Sequence, residues 1–195
     1  PLTIGYYGVK RGGDMKDKVI GILGAGPIGL STLLAARIQG AARVYVTDKL
    51  DYRCDCASSH GAVWAGNPDK TDIVKTISER EPLGLDVVFE CCGEQKALDQ
   101  GFSLLKPGGT LVIIGIPEFG RYSFNVNEGR RKEISILNIH RQNECTREVI
   151  DLVENNKISG DFMITHQFPF TEVNKAFHMA AGYDGDIIKG MIHFD

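Results

Sequence analysis

The chain has 195 residues, of which 43% are hydrophobic, with 22 Lys and Arg against 25 Asp and Glu and a net charge of −3. That is enough apolar material for one good core and part of a second, and it excludes a disordered chain. The absence of a basic surplus argues against nucleic acid and anionic membrane surfaces as partners, and no apolar run approaches the ~18 residues of a membrane span.

The first twelve residues are read as a leading helix, and residues 1–18, which carry Lys, Arg and Asp among short apolar pieces, are not expected to be a signal peptide. "KVIGIL", residues 18–23, is a β-branched run followed by glycine and predicts a buried strand. From 27 to 39, Ile28, Leu30, Leu33, Leu34 and Ile38 follow helical spacing, with Pro27 suited to the first turn and Gly40 to the stop. "RVYVTD" predicts a second strand, 51–60 a helix and "AVWA" a third strand. Residues 71–80 predict a helix, with Ile73, Val74 and Ile77 on one face. "LDVVFECCG" predicts a fourth strand, and 95–105 a helix ended by Pro107, Gly108 and Gly109. "TLVIIGI" and "ISILNI" predict the fifth and sixth strands.

Strands that are apolar throughout and alternate with helices imply a parallel sheet covered on both faces. The expected fold class is therefore α/β, a doubly wound Rossmann arrangement over residues 1–141. Residues 142–195 follow a different rhythm: a helix over 145–155, "MITHQFPF", a helix over 171–180, and "KGMIHF". This tail is too short for a core of its own and should pack on the main domain or complete another.

The chemistry starts at "GILGAGPIGL", where Gly24, Gly26 and Gly29 lie between strand and helix. The first glycine permits the tight turn, the second lets backbone approach a pyrophosphate, and the third lets helix and strand pack closely. The free N–H groups and the helix dipole then attract the phosphates. The dinucleotide fingerprint expects an acid about 20 residues on, at the end of the second strand. Asp48 stands nineteen residues after Gly29. A carboxylate there accepts bonds from ribose hydroxyls and repels a 2′-phosphate, so NAD is favoured over NADP. Arg53, close by, weakens that preference, because an arginine can accept a phosphate. S-adenosylmethionine methyltransferases share a glycine loop and a phrase like "LLKPGGTLVI". They carry an acid just before the glycines, where this chain has Ile22 and Leu23, and that reading is set aside. Tyr6 and Lys10 have the Tyr-x-x-x-Lys spacing of metal-independent short-chain dehydrogenases, but they precede the glycine loop instead of following it.

Five segments, "GAGPIGL", "VTD", "VVFECCG", "LKPGGTLVIIGIP" and "MITHQFPFTEVNKAF", occur in that order. Together they resemble the zinc-type medium-chain alcohol and polyol dehydrogenases of the sorbitol and threonine dehydrogenase branch. The resemblance covers essentially the whole chain and implies an NAD-dependent oxidoreductase moving hydride from a secondary alcohol or polyol. It implies that 142–195 is a segment returning toward a catalytic domain. By position it implies that Gly24, Gly26, Pro27 and Gly29 form the pyrophosphate turn, and that Ile28 lies under the nicotinamide. Asp48 and Arg53 would hold the adenosine ribose, and Cys91 would line the adenosine side. Ile114, Ile139 and Arg141 would stand where backbone binds the carboxamide, Lys189 would reach the pyrophosphate, and Thr3 would lie beside the nicotinamide. Plainer readings also fit: Ile28, Ile114, Ile139 and Cys91 as packing residues, Arg141 and Lys189 as surface charges.

The family's zinc ligands, a cysteine, a G-H-E histidine and an acid, are not found in these residues, so no metal ligand and no catalytic residue is assigned. Cys54 and Cys56 have the wrong spacing for a zinc knuckle. The expectation is the cofactor-binding part of a longer dehydrogenase, inactive alone, with zinc in an N-terminal domain. The alternative is a stand-alone NAD-binding or sensing module. Five cysteines in no bridging pattern point to reduced thiols and the cytoplasm. The expected partners are a small alcohol and further copies of the chain, as a dimer or tetramer paired through the sixth strand.

Overall fold

The computed structural model describes residues 1–194. Its elements, in chain order, are α1 (Leu2–Gly12), β1 (Val19–Leu23), α2 (Pro27–Ile38), β2 (Arg43–Thr47), α3 (Asp51–Ser59), β3 (Trp64–Gly66), α4 (Ile73–Arg80) and β4 (Leu85–Glu90). They continue with α5 (Gln95–Leu104), β5 (Leu105–Ile113), α6 (Val126–Arg131), β6 (Ser135–Asn138), α7 (Thr146–Glu154), β7 (Ile164–Pro169), α8 (Val173–Gly182) and β8 (Lys189–His193). Six strands form a parallel sheet in the order β3-β2-β1-β4-β5-β6, the doubly wound order that reverses between β1 and β4.

The apolar strands fill both faces. Ile20 and Ile22 of β1 and Val87 and Phe89 of β4 pack in one cluster with Val9, Leu30 and Leu33. Leu23, Leu85 and Val88 face the other way, against Ile77, Leu98 and Phe102. This two-sided burial is why the strands read as continuous apolar runs rather than alternating ones. On the first face α1 lies against α2 at very short range: a Cβ on Gly5 would stand 2.6 Å from the Thr32 backbone N.

Residues 142–194 do not fold apart. Met163 and Ile188 join the main cluster, while Phe168, Ala176 and Ile187 make a small cluster under the two-stranded parallel sheet β7–β8. At its start this segment is fixed to α1, where Lys10 Nζ donates to Glu148 Oε1 at 2.6 Å and Cys145 Sγ to the Thr3 carbonyl at 3.4 Å.

Three expectations need correction. The helix expected over 95–105 ends one residue earlier, and Pro107, Gly108 and Gly109 lie within β5 instead of before it. Leu105 pairs with Leu85, and pairing resumes at Thr110 opposite Val87, so 106–109 bulge outward. Gly108 N donates to Lys132 O at 2.6 Å, and Lys106 pairs with Asp86. The third strand, expected at 62–65, sits at Trp64–Gly66: the ladder runs from Trp64 opposite Tyr45 to Gly66 opposite Thr47, and Val63 joins only through its N–H to Val44 O at 2.9 Å. Helix α6 was not anticipated. It has no buried residue and is started by Asn125, whose Oδ1 accepts from Glu128 N at 3.1 Å. The Asn-x-x-Glu spacing was its one local signal.

At the end of α4, Glu81 accepts from Arg43 Nε (2.6 Å), Arg43 Nη2 (2.9 Å) and Tyr45 Oη (2.6 Å). The Arg43 guanidinium, joined by Tyr45, holds the Glu81 carboxyl below its ordinary 4.5 despite its burial. Burial, and then the bond to Glu81, pushes Tyr45 up to about 12. A depressed acid stabilises the fold above its unfolded value, and that stability is lost as pH falls through the folded value. A raised phenol loses its contribution as pH rises from 10 toward 12. In urea melts across pH, Glu81→Gln should flatten the fall below 4.5 and Tyr45→Phe the fall above 10. Curves parallel to the parent's would refute the pairing.

Candidate functional site

The sheet order reverses between β1 and β4, and crevices open at the carboxyl ends of strands at such a point. A cavity of about 380 Å³ lies there, lined by Gly24 after β1, Thr47, Asp48 and Arg53 at the end of β2, and Cys92 and Glu94 after β4, among others.

The glycine turn is built by close approach. Gly24 has φ +104°, and its N donates to Thr47 O at 2.7 Å. Gly29 is seated so tightly on it that a Cβ would stand 1.8 Å from Gly24 O. Helix α2 starts at Gly26 with no side chain capping it, and Pro27 at its head has no N–H to lose. The first turn therefore presents uncapped backbone donors at the positive end of the helix dipole, a place built to take an anion.

Asp48 ties this turn to β2. Its Oδ2 accepts from Ala25 N at 2.7 Å, and its Oδ1 accepts from Leu50 N at 2.9 Å. Only 10% of its side chain is exposed, and Arg53 Nη1 stands 3.8 Å from Oδ2. That guanidinium lies over Gly26, 3.4 Å from where a Cβ would be. Arg53 Nε is buried and has no partner. A buried donor left unpaired costs free energy, so the arrangement suits an acceptor arriving from outside. A polyanion carrying ribose hydroxyls fits on three counts: an uncapped helix start, a carboxylate at the strand end and an unpaired guanidinium nitrogen.

Of the sequence-predicted residues, the cavity brings together Gly24, Asp48 and Arg53, with Gly26, Pro27 and Gly29 forming the adjoining turn. Ile28 is partly buried against the main core. Cys91 is turned from the cavity toward α2, with Sγ 3.9 Å from Thr32 Oγ1, and Cys92 takes the lining place expected of Cys91. Burial, with the Glu90 charge, pushes the Cys91 thiol far up, which makes it a packing residue, not a nucleophile. The amides of Ile114 and Ile139 already donate to Glu90 O (2.8 Å) and Ile113 O (2.9 Å). Only their carbonyls are left to meet a carboxamide. Arg141 is exposed, in a left-handed conformation at φ +55°. Lys189 lies outside the cavity lining, close enough to the Pro1 amine to lower its pKa after burial has done so. Thr3 is on α1, its carbonyl held by Cys145.

Two residues escaped the sequence reading. Glu90 is fully buried at the end of β4; its Oε1 accepts from Gly93 N (2.6 Å) and Cys92 N (2.8 Å) and so shapes the turn on the far wall. The charged residue inside the apolar "VVFECCG" run was the signal. Tyr183, the residue after α8, lines the cavity from the C-terminal segment, and nothing local in the sequence announces it. Among the described residues no group of three His, Cys, Asp or Glu side chains is placed to hold a metal, and no helix is long and apolar enough to cross a membrane.

Comparison with known proteins gives a consistent answer. The profile of the zinc-binding dehydrogenases matches residues 27–155. Sorbitol dehydrogenase 1 of Saccharomyces cerevisiae is 30% identical over 200 residues, spanning 98% of this chain and 56% of the yeast protein. A solved Escherichia coli oxidoreductase/dehydrogenase of unknown specificity superposes with a TM-score of 0.93 at 29% identity, over all of this chain and 56% of that one. A zinc-binding dehydrogenase structure from Sinorhizobium meliloti 1021, bound to NADP, gives a TM-score of 0.85 at 30% identity, over 90% of this chain and 53% of that one. The chain thus spans about half the length of the curated relatives it matches.

Proposed function

The chain belongs to the zinc-binding dehydrogenase family, and on that premise we propose that it supplies the dinucleotide site of an oxidoreductase acting on a secondary alcohol or polyol. The observation that carries this is the junction of Asp48 with the glycine turn, 2.7 Å from Oδ2 to Ala25 N, beside an uncapped helix start. In this reading the donors at Gly26 to Gly29 receive the pyrophosphate, and Asp48 accepts from the adenosine ribose. Arg53 gives its unpaired Nε–H to a ribose or phosphate oxygen. Ile28 supports the nicotinamide, the carbonyls of Ile114 and Ile139 orient its carboxamide beside Arg141 and Thr3, and Lys189 draws toward the pyrophosphate from the C-terminal side. NAD held there would supply the hydride acceptor, and a zinc ion, for which the described residues provide no ligand set, would supply the Lewis acid for the alcohol oxygen.

In the same reading, residues 1–141 form the nucleotide domain and 142–195 the segment returning to a catalytic domain. Copies pair along the edge strand β6, and the protein works in the cytoplasm. The five cysteines, all free, agree with that compartment.

NADP is the second reading, because Lys49, Lys96 and Arg53 all line the cavity. Titration calorimetry with NAD, NADP and S-adenosylmethionine decides between them. The expected result is NAD binding with NADP weaker by about tenfold or more, from a phosphate set against a carboxylate. Adenosylmethionine binding with neither dinucleotide bound would overturn the reading.

A further inference from the structure

Tyr183 is the C-terminal segment's contribution to the cavity lining among the described residues. It follows α8 in the left-handed region, at φ 56° and ψ 30°. A bulky residue rarely adopts that conformation, and here it turns the ring back over α3. The Arg53 guanidinium carbon stands over the Tyr183 ring, 5.0 Å from its centroid. The neighbouring Tyr52 fixes the same loop from below, its Oη donating to Ile187 O at 3.0 Å. So α3 is bonded to the loop at 183–187 through two successive residues. One of them is the arginine whose Nε is buried without a partner and whose Nη1 reaches Asp48.

We propose that Tyr183 is a positioning residue for the adenosine end of the dinucleotide: its ring clamps the Arg53 guanidinium over the glycine turn, so that the C-terminal segment helps to hold the cofactor. This rests on the dinucleotide reading above. The attraction between a guanidinium and an aromatic face needs the ring, not the hydroxyl. Packing over the guanidinium also restricts Arg53 to one orientation, which lowers the ordering cost when an oxygen acceptor arrives.

The test is titration calorimetry of the full chain with ADP-ribose, NAD and nicotinamide mononucleotide, the last of which lacks the adenosine end. Tyr183→Ala should weaken ADP-ribose and NAD by roughly three- to tenfold, and Tyr183→Phe should stay within about twofold of the parent. Nicotinamide mononucleotide should bind both variants as it binds the parent. In an Arg53→Ala background, Tyr183→Ala should add nothing, because the two side chains act as one. Circular dichroism melts confirm that each variant is folded, and Tyr183→Leu, which keeps bulk without the ring, replaces Tyr183→Ala if that variant is not. Should Tyr183→Ala bind NAD like the parent, or add its full effect without Arg53, the clamp is wrong and the dinucleotide reading stands. Should the parent bind neither ADP-ribose nor NAD, both fall.

Discussion

Gly29→Ala should abolish tight dinucleotide binding and lower the stability of the chain by about 3 kcal/mol, a heavy cost for one methyl group. The new Cβ would stand 1.8 Å from the Gly24 carbonyl oxygen and 2.8 Å from its carbon. Both are backbone atoms, so no side-chain rotation relieves the overlap. Either α2 lifts from β1 or the turn at Gly24 opens. In the first case the buried contacts of Leu30 and Leu33 loosen; in the second the donors at the helix start are re-aimed. Urea denaturation reads the stability and calorimetry with NAD reads the binding. A variant with the parent's unfolding midpoint and affinity would mean the turn yields freely and is not a phosphate cradle.

Asp48→Asn should change which dinucleotide is preferred. The carboxylate accepts from Ala25 N with one oxygen and from Leu50 N with the other. An amide keeps one acceptor and sets an NH2 group against the other backbone donor. It also removes the negative charge facing the ribose and leaves Arg53, 3.8 Å away, without its counter-ion. A hydrogen bond to a charged group contributes about 1.5–3 kcal/mol, so NAD affinity should fall by roughly ten- to a hundredfold. NADP gains from the loss of repulsion and from the freed guanidinium, so the ratio of the two affinities should move by about a hundredfold. Paired titrations with NAD and NADP read the ratio directly. If it does not move, Asp48 serves only to close the glycine turn.

What could be read from the residues divides along physical lines. Strands buried on both faces advertise themselves by composition, and β1, β2 and β4 lie within a few residues of where their runs place them. Asp48 was legible because backbone geometry sets its distance from the third glycine. The bulge at 106–109 was not legible: Pro107 and Gly108 punctuate locally, and only the register with β4 shows the chain continuing as strand. The exchange of Cys91 for Cys92 is a question of which way a turn rotates, and adjacent identical residues carry no information about that. Glu90 needed a reader to ask why a charge stands in an apolar run. Tyr183 needed the third dimension, since the partner that gives it meaning is 130 positions earlier in the chain.

The small sheet β7–β8 has a consequence for the energy landscape of the whole chain. Its own cluster holds Phe168, Ala176 and Ile187, whereas each face of the large sheet buries many more side chains. A unit sealed by so little apolar surface opens at a lower free energy than the sheet it leans on. The loop at 183–187 is therefore expected to exchange its amides sooner than the glycine turn does. A ligand that packs against this loop would damp its excursions, and with them those of β7, which lies outside the cavity lining. Slower amide exchange across β7 and β8 on addition of NAD is the expected sign of that coupling, and unchanged exchange would refute it.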